Sequence, residues 1–182
     1  IYRDGYYYLF LAYGSLSVEY NTRVCRSRNI DGPYVDIHGN SAMGSAQLYP
    51  ILTAPYRFDN SYGWVGISHC GIFDDGAGNW FYTSQGRFPV NVGGNEYSNA
   101  IMMGHVRSIR WDANGWPLVM PERYGAVPQA PITENEIAGD WEHLALTNST
   151  GTQRTSETMT YDLDTHKITS GSWKNATWTF DA

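Results

Sequence analysis

Charge is scarce in this chain. Only 16% of its 182 residues are Asp, Glu, Lys or Arg, while 42% are hydrophobic. Disordered segments carry much charge and little apolar surface, so that class is excluded. Positive charge is the scarcer sign, with 12 Lys and Arg against 18 Asp and Glu and a net charge of −6. No basic stripe exists that could displace counterions from a phosphate backbone, which disfavours a nucleic-acid partner. No apolar run approaches membrane-spanning length, and no membrane partner is expected. No leader peptide is visible, but the chain opens on Ile1 rather than Met, so that absence carries no information. Cysteine is limited to Cys25 and Cys70. Both lie in apolar, strand-like stretches, and two buried free thiols are favoured over a bridge. Helix signals are almost missing, since no window shows capped apolar periodicity of 3.6 residues.

What the chain does have is aromatic residues and turns. Tyr occurs 14 times and Trp 7 times. Aromatic rings bury well in sheets, and they also stack on the C–H faces of sugars. Core packing accounts for most of them, leaving a minority for ligand contact.

Strand signals are dense. Residues 6–13 read YYYLFLAY behind an Asp4-Gly5 turn, and 22–27 read TRVCRS. A turn at Asp31-Gly32-Pro33 leads to a short strand at 34–37. The pattern then recurs at 63–73, 80–84, 102–111 and 116–120, with turns at Asp75-Gly76, 77–79 and 112–115. RVCRSRNIDGPY (23–34) parallels HVRSIRWDANGWP (105–117). Repeats of four short strands are the mark of propeller blades. About two blades fit before residue 120. A propeller needs at least about four to close, so further blades are expected before Ile1 or from another chain. Residues 121–137 are rich in Pro and Gly and read as a linker. From Ala138 a new series begins (HLALT, SETMTYDL, GSWKN, ATWTFDA), consistent with an incomplete small barrel or sandwich. Asn148-Ser149-Thr150 and Asn175-Ala176-Thr177 match the glycosylation sequon, mostly a chance pattern in an Asn- and Thr-rich chain.

Gly5-Tyr6-Tyr7-Tyr8-Leu9-Phe10, Arg26-Ser27, Asp31-Gly32-Pro33-Tyr34, Gly66-Ile67-Ser68-His69-Cys70 and Trp80-Phe81-Tyr82 carry a family resemblance. It continues through Gln85-Gly86-Arg87, Met103-Gly104-His105-Val106-Arg107, Asn114-Gly115-Trp116-Pro117 and Pro121-Glu122-Arg123-Tyr124. In these segments the chain resembles glycoside hydrolase family 43, with endo-α-1,5-L-arabinanases the best match. The resemblance implies an all-β fold: the last two blades of a five-bladed β-propeller (1–125), a linker (126–137) and part of a small C-terminal β-barrel or sandwich (138–182). It implies an inverting glycosidase in which one carboxylate activates water and one carboxylic acid protonates the leaving oxygen. The family's acids lie in earlier blades, so no catalytic acid is assigned to this chain. The chain alone is expected to be inactive and to need blades one to three, on the same protein or a separate polypeptide.

Two positions match residues of the family's active centre. His69 matches a histidine that holds a central metal ion, usually calcium. A nitrogen ligand is unusual for so hard a cation, and the plainer reading is a satisfied core histidine. Arg87 matches an arginine that reaches the sugar, where it would bond a hydroxyl or keep a carboxylate ionised. Its plainer reading is a surface ion pair. Ser68 and Gln85 flank these two and are candidates for water or sugar contact. Glu19 and Tyr20 lie in the loop after the first strand, where substrate-facing loops emerge, although a solvated loop charge also explains Glu19. Asp74-Asp75 and Asp162/Asp164 resemble carboxylate pairs but fit turn chemistry. His38, His105, His143 and His166 show no ligand spacing.

The expectation is therefore a secreted, periplasmic or cell-surface hydrolase of bacterial type that cuts internal α-1,5 links of arabinan. The alternatives are a non-catalytic carbohydrate-binding propeller, or an exo-acting arabinofuranosidase or xylosidase. The 88–99 loop (FPVNVGGNEYSN) could shape either a groove or a blocked pocket.

Overall fold

Short apolar runs broken by Asp- and Gly-containing turns cannot build long helices, so they pair with their sequence neighbours as antiparallel strands. The computed structural model describes residues 1–44, 47–127, 130–147 and 152–180. β1 (Tyr2–Arg3), β2 (Tyr6–Tyr13), β3 (Asn21–Ser27) and β4 (Ile51–Thr53) form one four-stranded sheet in that order. After β5 (Tyr56–Arg57), a second is built from β6 (Val65–Asp74), β7 (Trp80–Arg87), β8 (Met102–Trp111) and β9 (Pro117–Val119), again in order. Each is a four-stranded antiparallel meander, the form of a propeller blade. One helical turn, α1 (Glu134–Ile137), precedes β10 (Gly139–His143), β11 (Arg154–Thr155), β12 (Glu157–Asp162) and β13 (Lys167–Ile168). β10, β12 and β13 form a third, three-stranded sheet.

Aspartate side chains close the turns. Oδ1 of Asp75 accepts the N–H groups of Ala77 (2.8 Å) and Asn79 (3.1 Å). Oδ1 of Asp112 accepts those of Asn114 and Trp116, both at 2.8 Å. Asp36 does the same for His38 and Asn40, and also takes Tyr49 N–H at 3.0 Å. Burial alone would raise the Asp36 carboxyl, but these hydrogen bonds hold it below its ordinary value. Asp162 accepts from Thr165. Asp75 and Asp162 are thus held by turn chemistry, as their positions suggested.

The two blades lock together through packing and hydroxyl groups. Tyr8, Val24, Leu52 and Trp116 form a shared core, and Tyr8 donates its hydroxyl to the Gly115 carbonyl at 2.5 Å. Deeper in, Thr22 Oγ1 contacts Ser68 Oγ and Tyr82 OH, each at 2.8 Å. Thr53 Oγ1 donates to Ile67 O at 2.8 Å and contacts Tyr82 OH at 3.1 Å. Burial pushes the Tyr82 phenol up to about 12. Such a network survives burial only because its hydroxyls are partnered.

The third sheet packs its own small core of Met159, Ile168 and Trp178. β11 pairs in parallel with β5, tying Arg154 to Tyr56 and Thr155 to Arg57. An apolar cavity of about 240 Å³ lies beside that junction, lined in part by Leu52, Tyr56, Val119, Leu144 and Leu146.

Several boundaries differ from expectation. Residues 34–37 form no strand: Val35 makes only isolated bridges to Arg26 and Ser41. The outer strand of the first blade is β4, which pairs with Thr22 and Arg23 of β3. GSWKN is a turn instead of a strand, and Thr177 makes only an isolated bridge to Lys167. HLALT is strand only at His143, where β10 ends. The linker holds α1, whose Thr133 and Glu136 form a reciprocal capping box. Cys25 is a free, buried thiol, as expected, whereas Cys70 is free but only half-buried. Asn175 sits exposed in a turn, and the sequon at 148–150 lies outside the described residues.

Candidate functional site

β6 is the inner edge of the second blade, and it is not a regular strand. Its register with β7 shifts twice, between Val65 and Ser68 and again between Ser68 and Gly71. Gly66 and His69 both take left-handed backbone angles, φ 64 and φ 61. Glycine adopts this freely; for histidine it is uncommon and is kept only where surroundings over-determine it. The bulges re-aim the strand's side chains. Ser68 turns fully inward, donating to Asn21 O at 3.0 Å, so it belongs to the buried network and cannot touch sugar. His69 turns the other way and is exposed.

Gly66 has a second role. Its N–H donates to Val18 O at 3.0 Å, which pins the β2–β3 loop against β6. A methyl group at Gly66 would come within 3.0 Å of the Leu16 carbonyl oxygen and 3.3 Å of Arg87 Cδ. The loop that carries Glu19 and Tyr20 is thus brought to the start of the inner strand. Tyr20 OH lies 3.5 Å from His69 Nδ1. Gln85 Nε2 donates weakly to Gly66 O at 3.4 Å. Arg87 sits opposite Val65 at the same end. All five candidates therefore gather on β6 and its immediate neighbours.

Arg87 is the most constrained of them. Its Nη1 donates to Asn99 O at 3.0 Å, across the 88–99 loop. That loop folds into two single 3-10 turns, Val92–Gly94 and Ser98–Ala100, with Val92 N–H donating to Ser98 Oγ at 3.1 Å. Arg87 Nε is buried and has no partner among the described residues. A buried donor with no acceptor costs about 1–3 kcal/mol, so the group calls for a partner such as a water, an ion or a ligand. Glu19 is half-buried, and its carboxylate is unengaged among the described residues.

The metal expectation meets a limited fit. Among the described residues, no three His, Cys, Asp or Glu side chains come together. Calcium takes about six to eight oxygen ligands. The chain offers one imidazole beside one phenol, which is a single coordination position and not a cage.

Beneath the site, sequence reasoning passed over one group. His105 is 2% exposed and stacks edge-on to Trp64, with ring centroids 4.2 Å apart. Its Nδ1 lies 3.2 Å from Arg107 Nη2. Because guanidinium only donates, Nδ1 accepts and the ring proton sits on Nε2, which is buried and unpartnered. Burial first, then the positive charges of Arg107 and Arg123, push this imidazole down to about 4. The histidine reads as structural in the sequence, and it is. The signal for its depth was Gly86, where a methyl group would come within 2.6 Å of the ring.

Two four-stranded antiparallel blades in sequence, the second with a bulged edge strand presenting polar side chains, place the chain in the β-propeller class. A sequence profile of the glycosyl hydrolases family 43 matches residues 1–117, and the chain belongs to that family. The extracellular endo-alpha-(1->5)-L-arabinanase 2 of Bacillus subtilis is 29% identical over 157 residues, covering 75% of this chain and 32% of its own length. The corresponding extracellular enzyme of Thermotoga petrophila is 30% identical over 156 residues, covering 76% and 32%. Among solved structures, the Thermotoga petrophila endo-1,5-alpha-L-arabinanase superposes with a TM-score of 0.81 at 25% identity, over 94% of this chain and 41% of that one. The family 43 YxiA protein of Bacillus licheniformis gives 0.77 at 26% identity, over 92% and 40%. The chain thus spans 32% of the length of the curated relatives it matches.

Proposed function

We propose that this chain supplies two blades and a C-terminal β-module (138–182, after a 126–137 linker) to an extracellular glycoside hydrolase that cuts internal α-1,5 links of arabinan. The observation that carries the reading is Arg87, whose buried Nε has no partner at the mouth of the bulged inner strand. Family membership and the two relatives' names support the substrate. In this reading Arg87 and Gln85 bond sugar hydroxyls, while Glu19 and Tyr20 border the groove. The carboxylates that activate water and protonate the leaving oxygen come from blades one to three of the same protein. The full protein is expected to release a ladder of arabino-oligosaccharides from linear arabinan, measured by chromatography of early products. Arabinose alone would point to exo cleavage, and no cleavage to a binding module. Residues 1–182 expressed alone are expected to be inactive, and full hydrolysis by that fragment would overturn the assignment of the acids.

We further propose that His69 provides the one protein ligand of a cation otherwise held by water. Its exposure and left-handed backbone support this. EDTA is then expected to lower both activity and thermal midpoint of the full protein, with calcium restoring them. An unchanged midpoint and rate would leave His69 a structural residue.

A further inference from the structure

A second cleft begins one residue away from Arg87. Phe88 follows it in the chain, and Trp64 precedes Val65, the β6 residue paired with Arg87 across the strands. The cleft has a volume of about 700 Å³ and runs from these two rings to the third sheet. Its walls come from residues far apart in sequence: Tyr62 and Phe88 on the blade side, Trp141 of β10 on the other, with the exposed Glu122 and Arg123 also lining it.

Its aromatic residues have separate tasks. Trp64 is sandwiched, with Phe88 stacked on it at 4.7 Å and 14° and His105 edge-on at 4.2 Å. It is a support that fixes the Phe88 ring and is no platform itself. Tyr62 and Trp141 are open, 62% and 44% exposed. The Trp141 indole N–H is already used, donating to Ile137 O at 2.7 Å, so the ring is held in place while its face stays available.

The two walls are clamped to each other. Gln153 Nε2 donates to the carbonyls of Tyr56 and Tyr62, both at 3.0 Å. Glu142 Oε1 accepts the Ser156 hydroxyl at 2.7 Å and the Asp59 N–H. The segment bearing Tyr62 and the strand bearing Trp141 are therefore braced by neutral and charged hydrogen bonds, which leaves less ordering to be done on binding.

We infer that this cleft is an accessory glycan subsite that grips the chain of the substrate beyond the bonds held at Arg87. A neutral sugar chain is the occupant its chemistry fits. Flat open rings match the C–H faces of a sugar, and the nearby carboxylate of Glu122 and guanidinium of Arg123 match its hydroxyls. A pocket of this volume holds a ligand of a few sugar units. The identity of the sugar rests on the proposed arabinan activity.

The test compares a polymer with a short substrate in the full-length protein. Tyr62→Ala and Trp141→Ala are made separately, because Tyr62 is a surface ring whose loss leaves the fold intact. Each is expected to weaken retention on linear arabinan in affinity electrophoresis by about tenfold, corresponding to about 1.4 kcal/mol. Each is also expected to raise KM on arabinan, with kcat/KM on arabinotriose within twofold of the unaltered protein. Unchanged retention in both variants overturns the inference. An equal loss on polymer and trimer also overturns it, because that places the rings in the chemistry or the folding. If the unaltered protein does not cleave arabinan, the proposed activity fails and the cleft is read by binding alone. Retention on xylan, galactan or arabinan that is lost in the variants then supports the subsite, and retention on none of them overturns it.

Discussion

Arg87→Ala is expected to lower kcat/KM on linear arabinan on the order of 100-fold while leaving the thermal midpoint almost unchanged. Arg87 donates one hydrogen bond to its own loop, at Asn99 O, and keeps Nε buried and unpartnered. A hydrogen bond to a charged group contributes about 1.5–3 kcal/mol, which spans tenfold to somewhat over 100-fold in rate. The loss should be greater in kcat/KM than in stability, because the unpartnered donor is satisfied only when substrate or a neighbouring carboxylate is present. Arg87→Lys should recover part of the activity and not all, since an ammonium keeps the charge and loses the planar fork. Steady-state rates on arabinan for the three proteins provide the check. A change under threefold in Arg87→Ala would place this side chain among surface residues.

The second large effect is on stability in acid. His105 has an ordinary value near 6.5 and is pushed down to about 4 in the folded protein. Unfolded chains therefore take up this proton first. Its contribution is complete above pH 6.5 and is lost progressively as pH falls from 6.5 towards 4, with no further loss well below 4. The whole interval corresponds to about 3 kcal/mol. His105→Gln removes the titration and keeps an acceptor for Arg107. Between pH 7.5 and 4, the unaltered protein is expected to lose about 3 kcal/mol more unfolding free energy than the variant. Urea unfolding at both pH values measures it, and parallel curves would show that the imidazole does not titrate in this way.

Legibility varied along the chain for identifiable reasons. Residues 102–111 were read to their observed limits because the strand is long, alternates and ends in an Asp112-Ala113-Asn114-Gly115 turn. β4 escaped because Ile51–Thr53 is three residues between prolines, and only its pairing with β3 makes it a blade's outer strand. GSWKN has the composition of a strand, yet Gly171 takes φ 75 and packs against the Thr158 carbonyl, which fits a turn alone. α1 had a visible signal, Thr133 three residues before Glu136, hidden by a linker otherwise rich in Pro and Gly. For the candidate site, the family resemblance pointed to His69 and Arg87, and their neighbours Gln85, Glu19 and Tyr20 followed from flanking or loop position, while the inward turn of Ser68 did not show. Two register shifts between Val65 and Gly71 decide that Ser68 turns inward and His69 outward, and no alternation pattern reports a bulge.

By itself, the sequence determined the class of fold and the repeat of four short strands, and it nominated candidate residues that the fold then gathered on one strand and its neighbours. Strand period, turn chemistry and the paired Arg-Ser segments are local properties, encoded within about ten residues. Tertiary structure alone decided the rest. The parallel pairing of β5 with β11 joins residues 98 positions apart, and the Tyr62–Trp141 cleft lies beside it, where Gln153 and Glu142 bond across to the blade. Long-range pairings of this kind depend on which surfaces remain unburied once the blades have formed, and no local pattern records that.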